Sequence, residues 1–356
     1  MSRCNLVVDC GTTNLRVTLL DESLRRLDAV RAEGGVRHTA IDGHNGRLRA
    51  MLRESMQTVL ARNGYAPADV ERCVAYGMIT SALGLLEIPH VPAPAGASDL
   101  RAAMQEKTFE DIAPFPIAFI PGVRNFAGPV DLTNFSEMDM MRGEETEAIG
   151  LHKLLAPKGA AMFVLPGTHN KFVSMDEQGR ILGCMTSISG ELLDAITHDT
   201  ILADAVGHDF VSAQAYRSEM ACEGAWECAR SGLGRAAFAG RILATLGGER
   251  RAAVQSYLLG AVLAQDVQAL QAFLPTRARP VETGSAILSF PSALGIAPDL
   301  SEPEDDILPA IYVAGKAPVQ QAMIDVLEAL GLEGAQAVEP SISAWMGLEG
   351  ALKIAL

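Results

Sequence analysis

No stretch of this chain is apolar for 18 residues, so no transmembrane helix is expected. A P-loop run (Gly, four residues, then Gly-Lys-Ser or Gly-Lys-Thr) is absent, which excludes a P-loop protein. No Gly-x-Gly-x-x-Gly follows the first apolar segment, which argues against a Rossmann dinucleotide site. The histidines show no His-Glu-x-x-His or other ligand spacing. Six cysteines (Cys4, Cys10, Cys73, Cys184, Cys222 and Cys228) are scattered without a Cys-x-x-Cys pair. That pattern fits free thiols in a reducing compartment better than a disulfide framework or a zinc site. Cations are scarce, with 29 Lys+Arg against 43 Asp+Glu and a formal net charge of −14. This balance argues against binding a nucleic-acid backbone, although a single nucleotide site needs only local donors. The N-terminus reaches Asp9 after a very short apolar run, so no signal peptide is expected. With 49% hydrophobic and 20% charged residues, the chain reads as globular, free of membrane partners and cytoplasmic. Its 356 residues suggest two domains at roughly 150 residues each.

The local pattern is one of strands feeding polar turns, alternating with helices, twice over. Asn5 to Val8 is apolar, Asp9 to Asn14 is a polar turn, and Leu15 to Leu20 alternates as a strand. Leu48 to Asn63 carries helical spacing and ends before Asn63-Gly64, a stop signal. Short strands are expected at Cys73 to Gly77 and at Phe115 to Phe119, with a Pro/Ala/Gly-rich loop at 89–98. A helix opens near Glu144 and runs to about Leu155, with acidic residues in its first turn. Ala160 to Leu165 is a strand, Pro166 to Lys171 a second polar turn, and Phe172-Val173 the return strand. Residues 212–274 read as helices turning at Gly232 and Gly247-Gly248, and 291–309 as an exposed, acidic, proline-bearing loop. Ile311 to Gly315 is a strand running into glycine, and helices follow at Val319 to Leu330 and Ala344 to Ile354. Two α/β halves are expected. No sequence periodicity reveals a duplication.

Four segments carry chemistry, and each has a plainer alternative. In Asp9-Cys10-Gly11-Thr12-Thr13-Asn14, a glycine flanked by hydroxyls lets backbone N–H groups approach a phosphate, and Asp9 could hold a magnesium ion through water. The same residues would also make an ordinary hairpin turn. Pro166-Gly167-Thr168-His169 repeats the chemistry and the ambiguity. Two such turns in separate halves are more telling than one, because phosphoryl transfer needs donors on both sides. In Arg142-Gly143-Glu144-Glu145, one carboxylate could be a general base while Arg142 engages a substrate anion; alternatively, the glutamates only complement a helix dipole. Ala314-Gly315 would let an adenine or ribose lie against the backbone, or is a simple strand–helix turn.

Taken in order, Asp9-Cys10-Gly11-Thr12-Thr13-Asn14-Leu15-Arg16, Met141-Arg142-Gly143-Glu144-Glu145-Thr146, Pro166-Gly167-Thr168-His169-Asn170-Lys171 and Gly190-Glu191-Leu192 resemble the signature segments of 2-keto-3-deoxygalactonokinases. Gly34-Gly35-Val36, Gly77-Met78 and Ile120-Pro121-Gly122 are similar to that family too. The resemblance spans about residues 5–270 and resumes at about 311–354, and residues 275–309 look longer than the family pattern. It implies an α/β fold of two ribonuclease-H-like domains of the actin-like ATPase type, with an interdomain cleft closing over ATP and magnesium. The implied division is 1–138, with the first phosphate loop and the sugar-acid side, and 139–356, with the second loop and the adenosine side.

By the same resemblance, Asp9 serves the metal and Gly11, Thr12, Thr13, Asn14, Gly167 and Thr168 cradle phosphates. Gly315 lies at the adenosine motif and Gly347-x-Glu349-Gly350 at the interdomain connection. In glycerol kinase-like enzymes a Gly-Asp-Gln-Gln helix precedes the second phosphate loop, which suggests Glu144 as the base, with Glu145 beside it and Arg142 on the sugar-acid carboxylate. Spacing of Ala148, Leu151 and Leu155 from Glu144 predicts that this face packs inward. The implied activity is ATP-dependent phosphorylation of 2-dehydro-3-deoxy-D-galactonate at its 6-hydroxyl. The alternatives are a kinase for another 2-keto-3-deoxy acid, such as 2-dehydro-3-deoxygluconate, or a non-catalytic sugar-acid sensor. The oligomeric state is not legible, and a homodimer is the working expectation.

Overall fold

The computed structural model describes residues 3–273 and 309–356, and they form two compact units. The first takes residues 3–156, 178–181 and 344–356; the second takes the described residues of 157–177 and 182–343. The stretch read as a proline-bearing loop at 291–309, and the long 275–309 segment, lie outside the described residues except for residue 309.

In the first unit the strands are β1 (Cys4–Cys10), β2 (Asn14–Asp21), β3 (Arg26–Glu33), β4 (Val70–Gly77), β5 (Gln105–Phe109) and β6 (Ala113–Phe119), with helix α1 (Gly46–Arg62) following β3 and α2 (Glu144–Leu155) following β6. They make a sheet of order β3-β2-β1-β4-β6-β5. β1, β2 and β3 pair antiparallel, whereas β1–β4 and β4–β6 pair parallel. β1 is central and buried along nearly its whole length, as a continuous apolar strand must be. Helix α1 presents Leu48, Leu52, Met56 and Val59 to that sheet at helical spacing and joins Leu6, Val8, Val17 and Phe119 in one core. It stops where the Asn63 side chain donates to the Val59 carbonyl at 2.8 Å.

In the second unit the strands are β7 (Ala161–Leu165), β8 (Asn170–Met175), β9 (Ile181–Ser187), β10 (Ala310–Val313) and β11 (Gln336–Ala337). The helices are α3 (Ser189–Asp199), α4 (Ser218–Ser231), α5 (Leu233–Thr245), α6 (Arg251–Phe273) and α7 (Val319–Ala329). The sheet order is β9-β8-β7-β10-β11, antiparallel at β7–β8 and parallel at β7–β10 and β10–β11. Its core joins Val164 and Phe172 of the sheet to Leu263 of α6 and Val326 of α7. Each unit therefore begins with a strand, a turn and an antiparallel return, then continues its sheet in parallel on the other side of the first strand. This is the ribonuclease-H-like pattern, built twice, of the actin-like ATPase fold.

The division expected at residue 138 falls inside the first unit, because α2 and the C-terminal helix Met346–Ala355 pack there on each other. The contact is backbone to backbone. A Cβ on Gly150 would stand 1.8 Å from the Met346 carbonyl oxygen, and one on Gly350 would stand 1.8 Å from that of Thr146. Only paired glycines allow so close a crossing. All six cysteines are free, and among the described residues no helix is long and apolar enough to cross a membrane.

Candidate active site

β1 ends at the first glycine turn, and the sheet register decides what surrounds it. Asp9 lies opposite Arg16 of β2 and opposite Tyr76 of β4, so the three side chains share one face of the sheet. Burial pushes the Asp9 carboxyl above the usual carboxylate range, while the Arg16 charge, a hydrogen bond from the Tyr76 hydroxyl and the Arg31 charge pull it back. Burial, with the charges of Asp9 and Glu147, raises the Tyr76 hydroxyl in turn. Within the turn, the Gly11 N–H donates to the Asn14 carbonyl at 3.0 Å and the Asn14 amide donates to the Thr13 hydroxyl at 3.0 Å. The turn's own carbonyls are tied back: Gly11 accepts from Val36 N–H, Thr12 from Arg37 N–H and Thr13 from Gly34 N–H. Those oxygens would repel a phosphate, and their capture by residues 34–37 leaves Thr12 and Thr13 exposed at the tip.

Arg142 to Glu147 form the second cluster of this unit. Gly143, at a φ of +113° that favours glycine, precedes α2. Glu145 is fully buried; its carboxylate accepts the Gly143 N–H at 2.8 Å and the Thr146 hydroxyl at 2.9 Å. Burial, reinforced by the Glu144 charge, pushes its carboxyl up to about 7 against those two hydrogen bonds. Glu144 is half-buried, and its Oε2 accepts the Arg142 backbone N–H at 3.1 Å. The expected inward face is present at Ala148 and Leu151, which are buried, and fades at Leu155, which is half-buried at the helix end. The Glu145–Ile149 face is buried as well, because α2 is packed on more than one side. The Arg142 guanidinium donates to the Thr80 hydroxyl at 2.9 Å and the Ile88 carbonyl at 2.6 Å, both neutral acceptors. Burial lowers its pKa, and the charges of Glu145 and Glu87 oppose that. Glu147, one turn on from Glu144, is raised well above the ordinary range by burial and then by the charges of Asp9, Glu144 and Glu145.

The second glycine turn joins β7 to β8 and has the same four-residue pattern, Gly-Thr-x-Asn. Gly167 N–H donates to the Asn170 side-chain Oδ1 at 2.9 Å. The start of α3 packs directly on this turn: Glu191 N–H donates to the Thr168 carbonyl at 3.2 Å, and a Cβ on Gly190 would stand 2.2 Å from the Gly167 carbonyl oxygen. His169 pairs with the Glu191 carboxylate at 2.8 Å at the surface. Beside the turn opens a pocket of about 560 Å³ lined by Gly167, Thr168, Gly190, Glu191, Asp194 and Phe210. Phe210 also borders a smaller, mostly apolar cavity of about 160 Å³ that reaches Leu193, Leu258, Pro318 and Val319. Gly315 sits next to this turn, 3.6 Å from the Pro166 ring when extended by a Cβ, because β10 pairs in parallel with β7.

The anticipated residues thus fall into two groups. Asp9, Gly11, Thr12, Thr13, Asn14, Arg142, Glu144 and Glu145 lie in the first unit, and Gly167, Thr168 and Gly315 in the second. Tyr76, Glu147 and Asp266 were not anticipated. Tyr76 carries a signal only through the β1–β4 register, and Glu147 through its i+3 spacing from Glu144. Asp266 shows as a lone acid, next to Gln265, in the mostly apolar stretch Ala261 to Val267.

Comparison with known proteins identifies the family. The chain is 28% identical over 207 residues to a probable 2-dehydro-3-deoxygalactonokinase of Rhizobium meliloti, covering 56% of this chain and 58% of that protein. It is 28% identical over 211 residues to the 2-dehydro-3-deoxygalactonokinase of Escherichia coli, covering 59% and 62%. These matches therefore span about three fifths of each curated relative's length. In fold, it matches the crystal structure of a candidate 2-dehydro-3-deoxygalactonokinase from Sinorhizobium meliloti with a TM-score of 0.71, 21% identity and 98% of both chains covered. A model of the 2-keto-3-deoxy-galactonokinase family matches residues 9–344, and the chain belongs to that family.

Proposed function

We propose that the protein is an ATP-dependent kinase that transfers the γ-phosphoryl group to the 6-hydroxyl of 2-dehydro-3-deoxy-D-galactonate. The observation that carries this reading is the Gly-Thr-x-Asn turn built once in each unit, each with its glycine N–H spent internally and its threonine left exposed. Phosphoryl transfer demands mostly positioning and charge neutralisation, and such turns supply backbone and hydroxyl donors. In this reading Thr12, Thr13 and Thr168 are hydroxyl donors to phosphate. Gly315 and the apolar cavity beside Phe210 receive the adenosine. The substrate assignment follows the names of the related proteins.

Glu144 is the general base. Its carboxylate is half-buried and reachable, whereas that of Glu145 is enclosed and already holds Gly143 and Thr146. The 6-hydroxyl gives its proton to Glu144 as its oxygen bonds to the γ-phosphorus, and the bond to the bridging oxygen breaks to release ADP. Arg142 binds the sugar-acid carboxylate: its guanidinium is fixed by two neutral acceptors, so its charge is held in place and open to an anion. Asp9 offers a hard oxygen donor, and among the described residues no three His, Cys, Asp or Glu gather as a metal cage. That sparse oxygen set fits magnesium, which binds through one or two carboxylates plus substrate phosphates and keeps its waters. Bound there, it would neutralise phosphate charge. The free cysteines suit the reducing cytoplasm, where we place the protein.

The test is a coupled kinase assay over a panel of 2-keto-3-deoxy acids, with Glu144→Gln and Glu145→Gln alongside the parent. Loss of a general base costs about 10²–10⁴ in rate. A loss of that size in kcat at Glu144 with a smaller one at Glu145 is expected. No sugar-dependent ATP turnover would refute the activity, and a larger loss at Glu145 would reassign the base.

A further inference from the structure

Behind the second glycine turn lies a carboxylate that the proposed reaction does not use. Asp266 of α6 is 1% exposed and sits, beside Gln265, among apolar residues. Its Oδ2 accepts the Asn170 side-chain N–H at 2.6 Å and its Oδ1 accepts the Ser189 hydroxyl at 2.5 Å. The Ser187 hydroxyl lies 3.1 Å from that of Ser189 and within hydrogen-bond reach of Asp266. No lysine, arginine or histidine within ion-pair distance compensates Asp266 among the described residues. A buried carboxylate without a cation is costly, and an apolar residue would fill the space more cheaply. Its value must lie in what it orients.

The orientation follows from donor and acceptor counts. A carboxylate only accepts hydrogen bonds, whereas an amide has one accepting and one donating end. Facing Asp266, Asn170 must present its nitrogen, and its oxygen is then turned to the Gly167 N–H. The reversed amide would set two donors against each other at Gly167. The other oxygen of Asp266 holds Ser189, the first residue of α3, whose neighbour Gly190 lies against the Gly167 carbonyl. One side chain thereby secures both the closing hydrogen bond of the turn and the helix start that braces it.

We propose that Asp266 is a positioning residue for the nucleotide: through Asn170 and Ser189 it fixes the conformation in which the Gly167-Thr168 turn meets the ATP phosphates. This rests on reading that turn as a phosphate loop. The test uses the full chain with Asp266→Leu, Asp266→Asn and Asn170→Ala, plus the double variant of Asp266→Leu with Asn170→Ala. ATP and sugar-acid KM are measured, with ADP binding by calorimetry and melting curves to verify folding. Asp266→Leu leaves Asn170 without its acceptor and should raise the ATP KM and ADP Kd about tenfold, as expected for a lost buried hydrogen bond to a charge, with the sugar-acid KM little changed. Asp266→Asn can still offer an oxygen to Asn170 and a nitrogen to Ser189, so its ATP KM should stay within about threefold. In the Asn170→Ala background the Asp266→Leu effect should shrink to the part that passes through Ser189, since the Asn170 branch is already cut. A folded Asp266→Leu protein with unchanged ATP KM overturns the proposal, as do additive effects in the double variant or equal rises in both KM values. Should Asp266→Leu not fold, Asn170→Ala carries the same expectation, and an unchanged ATP KM there overturns it. Failure of the parent to bind ATP would instead refute the reading of the turn.

Discussion

Glu145 gives the sharpest physical test, because it can be read without substrate. Its carboxyl is fully buried and pushed from 4.5 to about 7, first by burial and then by the Glu144 charge. The folded protein thus holds a proton there that the unfolded chain has released between pH 4.5 and about pH 7. Folding then binds protons in this window, so the contribution of Glu145 to stability falls as pH rises and reaches its full cost above about pH 7. At about 1.4 kcal/mol per pH unit the full cost is about 3 kcal/mol, most of it incurred between pH 5 and pH 8. Glutamine removes the titration and keeps the contacts: its amide oxygen can accept the Gly143 N–H, and its nitrogen can donate to the Thr146 hydroxyl oxygen. Glu145→Gln should therefore gain about 2–3 kcal/mol relative to the parent between pH 5 and pH 8, measured by urea unfolding at each pH. Comparing variant with parent cancels Asp9 and Asp266, whereas Glu147, which the Glu145 charge raises, is relieved in the variant, a change of the same sign. A stability difference that does not change with pH would refute the raised carboxyl, and one that shrinks toward pH 8 would reverse its sign.

Three further outcomes follow from particular contacts. Asp9→Asn keeps the size and the Tyr76 partner but removes the charge; turnover should fall at limiting magnesium and recover partly with excess metal, and near-normal turnover at limiting magnesium would remove the metal role. Arg142→Leu should lower kcat/KM for the sugar acid about ten- to hundredfold while ATP KM changes little, and the opposite split would assign Arg142 to the nucleotide. Gly350→Ala drives a methyl to 1.8 Å from the Thr146 carbonyl oxygen, so the α2 crossing must open. Calorimetry should show a loss of about 1–3 kcal/mol, the usual range for overpacking, and an unchanged melting curve would mean that the crossing is loose.

What could be read from the sequence was whatever burial writes into local pattern. Helix α1 was legible because Leu48, Leu52, Met56 and Val59 recur on its buried face and Asn63-Gly64 ends it. The turns at Gly232 and Gly247-Gly248 separate α4, α5 and α6 as expected. Strands β3 and β5 were missed for one physical reason. Both lie at edges of the first sheet, where backbone pairing suffices, and their residues, Arg26 to Glu33 and Gln105 to Phe109, are mostly exposed and charged or polar. The first compact unit runs on past 138 because α2 packs on the C-terminal helix through Gly150 and Gly350, two hundred residues apart in sequence and unremarkable in either helix alone.

The candidate site divides along the same line between local and tertiary information. Both glycine turns were legible as turns, yet how each is fastened was not, and the two differ. In the first, three successive carbonyls are captured by backbone N–H groups of residues 34–37, and the exposed Asn14 needs only its own carbonyl to close the turn. Among the described residues, the second has only Glu191 N–H on the Thr168 carbonyl. Its closing bond comes instead from the Asn170 side chain, which is buried and takes its orientation from Asp266. The asparagine at the fourth position therefore does different work in the two copies of one motif. Where backbone can be brought alongside, it may stay at the surface; where a helix start occupies that place, the side chain must turn inward and meet a buried acceptor. On this argument the first turn should tolerate Asn14→Ala far better than the second tolerates Asn170→Ala.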